Sequence, residues 1–392
     1  VWIDWVTWSL LRIALIGIIA GTIPWPEQVN DLNIYADWAA ESLRFGRFPT
    51  DEMWQYPPLA GPVMLAGAAL PGERLGFVTL FLAFDALIMV MLTIQARRTG
   101  LAGGMRLWAL LPLLVGPLVL ARFDVVPTAL AVAAVLMTAR PGLSGALAGI
   151  GAWLKVWPVL VLLALTRRAL LRGIAGALAA SVAIVLILLA ATTDPLSFVS
   201  GQRNRGLQIE SLPAWPFLVS RALGAPVEVI YRFGAHEVQA PGVEIMASVA
   251  PAITLVLLAV VAIQRLRGAL EGMSGADVAL AAVLFTVATS RVFSGQYFIW
   301  LLGLAAVGLG DPRSRMRRTT TLLVAAAAAT HVVYPWLYSA LLDGHPAAVL
   351  AQSLRVVLTI AATVTALQLL MRPRGRADAR GSTGPASGTP GP

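Results

Sequence analysis

Along the chain, long apolar runs alternate with short polar junctions, and the junctions are of two kinds. The runs approach the roughly 20 apolar residues needed to cross a hydrocarbon core of about 30 Å. One set of junctions is rich in arginine: "QARRTGLAGGMR", "TARPG", "LTRRALLRG", "IQRLRG", "DPRSRMRRT" and "MRPRGRADARG". Placed in the cytoplasm, these satisfy the positive-inside rule with every other junction outside. The pattern predicts spans near residues 3 to 23, 74 to 96, 105 to 120, 124 to 138, 142 to 154, 156 to 166, 173 to 192, 243 to 264, 276 to 290, 296 to 309, 319 to 340 and 347 to 371. The two that meet at Trp153-Leu154-Lys155-Val156-Trp157-Pro158 are short, as helices are when they stop partway across beside a protein-lined or watery cavity. The apolar piece 57 to 70 is also short. It reads as a re-entrant or interfacial helix on the outer side, since a full span there would place Arg97 and Arg98 outside.

On this topology residues 24–73 form the first outer loop and 193–242 a second large one. The stretch "DLNIYADWAAESLRFG" carries Leu32, Tyr35, Trp38, Ala39 and Leu43 at helical spacing and ends in Gly46, which predicts an amphipathic helix on the membrane surface. Asp31 stands at its start, where a carboxylate can cap free backbone N–H groups. Asp37 and Glu41 fall on its solvated face. The tail 372–392 has no apolar period and is rich in Gly, Pro and Ser, which predicts disorder in the cytoplasm.

Composition narrows the class. The chain has 392 residues, 58% of them hydrophobic and 12% charged, with a mean hydropathy of +0.78, which excludes a soluble globular domain. An all-α polytopic membrane protein is expected; a β-barrel would need alternating segments of about ten residues. Residues Val1 to Ile23 lack an A-x-A-like cleavage site and read as a first span, not a signal peptide. With no cysteine there is no disulfide, thiolate nucleophile or Cys-based metal site. The net charge of +9 comes from arginines at the ends of apolar segments, as orientation signals and phospholipid contacts require, so no nucleic acid partner is expected.

Cations also occur where the positive-inside rule disfavours them. Arg122, Lys155, Arg203, Arg205 and Arg291 all fall at outer helix ends or in outer loops. Guanidinium forks with one Lys suit a phosphate or pyrophosphate; the alternative is that each snorkels to lipid headgroups. An outer carboxylate beside such a site has a use: sugar transfer from a lipid phosphate needs a base for the acceptor hydroxyl and cations for the departing phosphate. Asp31 could supply the first and the arginines the second. Of the three histidines, His236 and His345 read as loop surface, and His331 in "ATHVVYP" as a packed, hydrogen-bonded residue or as an acceptor-binding or proton-relaying group.

"DLNIYADWAAESLRFGRFPTDEMWQYPPLAG", "LARFD", "AGIGAWLKVWPVLVLLALTRR", "RGLQIESLPA", "SRVFSGQYFIWLL" and "HVVYPWLY", in this order, resemble the bacterial polyprenyl-phosphate-mannose-dependent α-mannosyltransferases of glycosyltransferase family 87, also called DUF2029. The resemblance covers the chain to about residue 370 and implies a GT-C type bundle of about 12 transmembrane helices over residues 1–371, with juxtamembrane helices in the first extracytoplasmic loop. It implies Asp31 as catalytic base, no required metal or other cofactor, a polyprenyl-phosphate sugar donor and a glycolipid or glycan acceptor in contact with membrane lipids. Lys155, Arg122, Arg203, Arg205 and Arg291 would hold the donor phosphate. Tyr35, Tyr56, Asp124, Gln208, Glu210, Gln296, Tyr297 and His331 would contact substrate; for Tyr56 an interfacial aromatic belt, and for Gln208 and Glu210 a capping or solvated loop role, stand as alternatives. "GQYFIW" departs from the family at Gly295, where proline is usual. A transporter or flippase of an anionic lipid-linked sugar is the competing expectation; it would need no base, and polar residues would continue into the cytoplasmic half, whereas the sequence places them in the outer half.

Overall fold

In the computed structural model the described residues are 1–26, 31–47, 49, 53–54, 56–191 and 205–372. A first helix, α1 (Trp2–Ile19), leads to α2 (Asp31–Phe45) and α3 (Ala60–Ala69) in the first outer loop. Then follow α4 (Arg74–Thr99), α5 (Gly103–Leu110), two single turns α6 (Pro112–Val115) and α7 (Leu118–Ala121), α8 (Val125–Leu136) and α9 (Pro141–Leu154). A 3-10 helix (Trp157–Ala164) joins α9 to α10 (Arg167–Ala191). The second outer loop holds β1 (Leu207–Gln208), α11 (Trp215–Ala222), β2 (Glu228–Arg232) and β3 (Ala235–Gln239). The chain continues through α12 (Val243–Leu266), α13 (Gly275–Ala288), α14 (Tyr297–Leu309), α15 (Arg317–His331), α16 (Tyr338–Leu342) and α17 (Pro346–Met371).

The protein is a helical, multi-pass membrane protein, and the expectation of about a dozen spans is met only in part. Among the described residues five helices are long and apolar enough to cross: α1, α4, α10 over Arg167–Leu189, α12 and α17. The predicted span 105 to 120 is broken into α5, α6 and α7 because Pro112 and Pro117 lack the N–H that an uninterrupted helix needs. Between them Gly116 takes φ +60, and a Cβ there would lie 3.0 Å from the His331 ring. The predicted span 156 to 166 is the 3-10 helix, and 319 to 340 ends at His331, ahead of a π turn over Val332–Trp336 that contains Pro335. At 1.5 Å per residue, the 12 residues of α8 and 14 of α9 reach only about 18 to 21 Å. That is too short to cross about 30 Å of hydrocarbon, and the residues flanking them, Arg122 before α8 and Lys155 after α9, border a cavity.

Small residues let α9 and α10 approach closely: a Cβ on Gly145 would fall 1.8 Å from the carbonyl oxygen of Gly173. The larger of two apolar clusters runs through α4, α8, α13, α14 and α15, and the second packs β1, β3 and α11 against α16 and α17. The larger contains an ion pair absent from the sequence reading. Arg12 of α1 donates to both carboxylate oxygens of Asp85 at 2.9 Å, Trp8 Nε1 donates to the same carboxylate at 2.7 Å, and the remaining guanidinium N–H groups meet the carbonyls of Trp108 and Ala109. Arg12 and Asp85 fall near the middle of α1 and α4, so buried polar residues are not confined to the junctions. The pair is tolerable in hydrocarbon because nearly every polar atom in it has a partner.

The all-α expectation is met except for a three-stranded antiparallel patch in the second outer loop, ordered β1-β3-β2, with Leu207 opposite Val238 and Val229 opposite Val238. The β2–β3 hairpin turns through Phe233 and Gly234, both at positive φ. The expectation for the tail falls, beyond Arg372, outside the described residues.

Candidate active site

Helix α2 forms for the reason its spacing predicts. Leu32, Tyr35, Trp38 and Ala39 are buried against the bundle, Asp37 faces out, and Leu43, expected on the apolar face, is 73% exposed near the helix end. Tyr35 sits among Trp38, Phe77, Phe81 and Phe123, with ring centroids 6.0 to 6.3 Å apart. This anchoring fixes the start of α2, and Asp31 with it, beside Arg122 in the corner between α7 and α8. The Asp31 carboxylate accepts from Arg122 at 2.8 Å, with the two side chains 17% and 23% exposed.

Both residues line a cavity of about 1020 Å³. Its walls come from junctions at one end of the helices: α2, the Tyr56-Pro57 turn, the Arg122 corner, the α9 end at Lys155, Arg205 to Glu210, the β2–β3 hairpin, and Ser290 to Trp300 between α13 and α14. The arginine-rich junctions lie at the opposite helix ends. Of the residues singled out in sequence, Asp31, Tyr35, Tyr56, Arg122, Lys155, Arg205, Gln208, Glu210, Arg291, Gln296 and Tyr297 meet on this one cavity. Arg203 lies outside the described residues. His331 is not in the lining; it packs edge-on against Trp25 with centroids 5.7 Å apart, beside Gly116. Asp124 also stands back from the cavity, buried behind Lys155.

Lys155 is the most enclosed of the cations. Its ammonium donates to Asp124 at 2.6 Å, and Trp300, Phe123, Tyr297 and Tyr56 surround it at 4.7, 5.3, 5.4 and 5.6 Å. Asp124 also accepts from Trp300 Nε1 at 2.7 Å, so one buried carboxylate positions both the lysine and the ring that faces it. Tyr297 stacks on Trp300 at 3.9 Å, and Trp157 stacks on its other neighbour side at 5.2 Å. Burial of Lys155 pushes its pKa down, with Asp124 opposing.

The other cations differ in what they already hold. Arg205 donates to the carbonyl of Phe233 at 2.8 Å, tying the hairpin tip to the cavity, while its Nε, like that of Arg122, is buried without a hydrogen-bond partner among the described residues. Arg291 donates to the carbonyls of Ala247 and Arg205, so part of its guanidinium is committed to backbone. The Gln208 amide is committed as well: its N–H groups go to Glu210 and Ser294 at 2.9 and 2.8 Å, and its oxygen accepts from the Phe293 N–H at 2.8 Å.

A residue missed in sequence secures this loop. Arg355, fully buried in α17, donates to the Glu210 carbonyl at 3.0 Å and to the Phe293 carbonyl at 2.6 Å, lies 3.5 Å from the Glu210 carboxylate, and stands 4.3 Å over the Phe293 ring. The signal was an arginine within an apolar span; what it reaches could not be read locally. His236, expected as loop surface, also lines the cavity, through a 3.2 Å contact with the Tyr338 hydroxyl, and burial lowers its pKa. His345 caps α17, its ring accepting from the Ala347 N–H.

Electrostatically the cavity couples a carboxylate to an excess of cations. Burial pushes the Asp31 pKa up and outweighs the opposing pull of the Arg122 guanidinium. Burial raises Glu210 too, against Arg355, and pushes Tyr56 up to about 12. The cavity has an apolar arm as well: Val156, Val159 and Leu160 on one side, Pro251, Leu255 and Leu258 of α12 on the other. Val156 and Leu255 are 57% and 69% exposed, so the arm opens sideways between α12 and the 3-10 helix, toward lipid.

Residues 54–235 match the family model described as glycosyltransferase family 87, a segment that includes Tyr56, Arg122, Lys155, Arg205 and Glu210 and begins after Asp31. No curated protein and no solved structure matches the chain.

Proposed function

We propose, from the match of residues 54–235 to glycosyltransferase family 87, that the chain is an enzyme that moves a sugar, mannose first among candidates, from a polyprenyl-phosphate donor to an extracytoplasmic glycolipid or glycan acceptor with inversion at the anomeric carbon. The observation that carries this reading is the composition of one cavity: a buried carboxylate at Asp31, the cations Arg122, Lys155 and Arg205, and an apolar arm open to lipid. A lipid tail, a phosphate and an attacking hydroxyl each have a place there.

In this mechanism the isoprenoid tail lies along the arm beside Leu255 and Val159, which brings the phosphate to Lys155 and Arg205. The acceptor hydroxyl gives its proton to Asp31 as its oxygen bonds to the anomeric carbon. The bond from that carbon to the phosphate oxygen breaks, and the polyprenyl phosphate leaves with the electron pair. Lys155, Arg122 and Arg205 stabilise the charge gathering on the phosphate, in a site where enclosing rings and protein make such donors worth more than in water. Attack from the opposite face turns a β-linked donor into an α-linked product. Arg291 acts through the backbone of Arg205, and Asp124 through Lys155. Because the cavity is built from junctions opposite the arginine-rich ends, it faces the extracytoplasmic side. A flippase would need the lining to continue to the arginine-rich ends, and the residues around this cavity do not extend there.

The test is transfer from radiolabelled polyprenyl phosphate mannose to membrane acceptors, comparing wild type with Asp31→Asn at equal expression. Loss of transfer with donor binding kept supports Asp31 as base. Full activity in the variant overturns the assignment, and no transfer by wild type overturns the donor.

A further inference from the structure

Resting on the sugar-transfer reading, a second set of rings in the same cavity points to the acceptor. Tyr334, Tyr338, His236 and Tyr231 all line it and follow one another: Tyr334 to Tyr338 at 5.4 Å, Tyr338 to His236 at 5.8 Å, and His236 to Tyr231 at 5.1 Å. The row shares its cavity with the Asp31–Arg122 pair. It ends at the rim, where Tyr231 is 60% exposed while the other three rings are half-buried.

Three features set this row apart from ordinary core aromatics. Its members come from two distant segments, the β2–β3 hairpin and the π turn with the start of α16 that follows it, held together by the 3.2 Å contact of His236 with the Tyr338 hydroxyl. The hairpin is fixed over the cavity by Arg205, which bonds the Phe233 carbonyl, and by Gly234, against which Met53 of the first loop packs. And the row lies apart from the apolar arm, which runs between α12 and the 3-10 helix. A large, half-buried tyrosine with its hydroxyl at a watery mouth offers an apolar ring and a polar tip together. That suits a pyranose, whose C–H face packs on the ring while its hydroxyls hydrogen-bond at the edge. Each step along the row is near the length of one sugar unit.

We propose that Tyr334, Tyr338, His236 and Tyr231 form a track of acceptor subsites, and that the acceptor is an oligosaccharide chain whose end reaches Asp31, rather than a single sugar or a protein hydroxyl. Affinity then rises with acceptor length until the track is filled.

The full chain in lipid nanodiscs is titrated calorimetrically with methyl α-mannoside and with α-linked mannose oligomers of two, three and four units. The expected result is a fall in Kd of a few-fold to about tenfold per added unit up to three, the range an aromatic contact supplies. Tyr231→Ala loses the outermost gain and Tyr231→Phe keeps it, because packing needs the ring and not the hydroxyl; this position is exposed, so folding is not at stake. Equal Kd from one to four units overturns the proposal. So does absent binding, or a Tyr231→Ala loss that is uniform across lengths. Length-dependent binding in a protein that transfers nothing from the lipid donor would leave the track standing and sink the donor reading. Equal KM for single-sugar and longer lipid-linked acceptors in an active enzyme would do the reverse.

Discussion

Replacing Arg122 with glutamine separates its two roles. The Asp31 carboxylate and the guanidinium are 2.8 Å apart and mostly enclosed. At that separation, with an effective dielectric of about 20, the attraction between unit charges is on the order of 5 kcal/mol. Burial of the carboxylate is nevertheless the larger influence, which is why the Asp31 pKa stands above its ordinary value despite the arginine. Arg122→Gln removes the largest pull against burial and leaves a backbone hydrogen bond as the remaining one, so the pKa rises further. The sign follows from the chemistry: a base works only when ionised, so activity is present above the Asp31 pKa and is lost as pH falls through it. The acid limb of kcat/KM should therefore lie at higher pH in the variant than in wild type, and each unit of displacement costs about tenfold in rate below the limb. Asp31→Asn should instead lower the rate about 10²- to 10⁴-fold at every pH. The double variant should lose the phosphate contact as well, but the pH-dependent part of the Arg122→Gln loss should vanish in the Asp31→Asn background, since that part passes through the carboxylate. The assay is the pH profile of radiolabelled sugar transfer for all four proteins. An Arg122→Gln profile with an unmoved acid limb, or an acid-limb shift that persists in the double variant, would refute the coupling.

Lys155→Met should reduce kcat/KM for the donor by about 10²- to 10³-fold, as loss of one preorganised donor to a developing anion does, measured at saturating acceptor. Leu255→Arg should raise the KM of a long-chain polyprenyl donor more than that of a short-chain analogue, because the charge blocks the apolar arm and not the phosphate site. Arg355→Met strands the Glu210 carboxylate and should cost about 3 to 5 kcal/mol; adding Glu210→Gln should return part of the thermal stability of the purified protein. Arg12→Leu should lower the unfolding temperature more than Arg12→Leu with Asp85→Leu, since the single change leaves a charge in hydrocarbon and the double does not.

Much of the site could be read from local chemistry. Asp31, Arg122, Lys155 and Tyr297 each interrupt or border an apolar run, and a charged or aromatic residue there is conspicuous whatever the fold. Hydropathy also located α4, α10, α12 and α17 to within several residues. It misread 105 to 120 because apolarity does not report the missing N–H of Pro112 and Pro117 or the positive φ of Gly116. Partnerships were the harder part. Whether Arg122 faces a phosphate or Asp31, and whether Gln208 is open to a sugar or spent on Phe293, depends on segments brought together from tens of residues away. His236 looked like loop surface because a short polar hairpin usually is; only the seating of β2 and β3 over the cavity changes that.

The sideways opening between α12 and the 3-10 helix has a kinetic consequence. A substrate that enters through it need never leave the leaflet, so the search for the enzyme is two-dimensional, and occupancy depends on the donor's mole fraction among the surrounding lipids. A water-soluble acceptor chain, entering past Tyr231 on the proposed track, is counted instead in ordinary molarity. Diluting the membrane with inert phospholipid at constant water volume should then starve one substrate and spare the other, so that the two Michaelis constants of a single active site are expressed in different units.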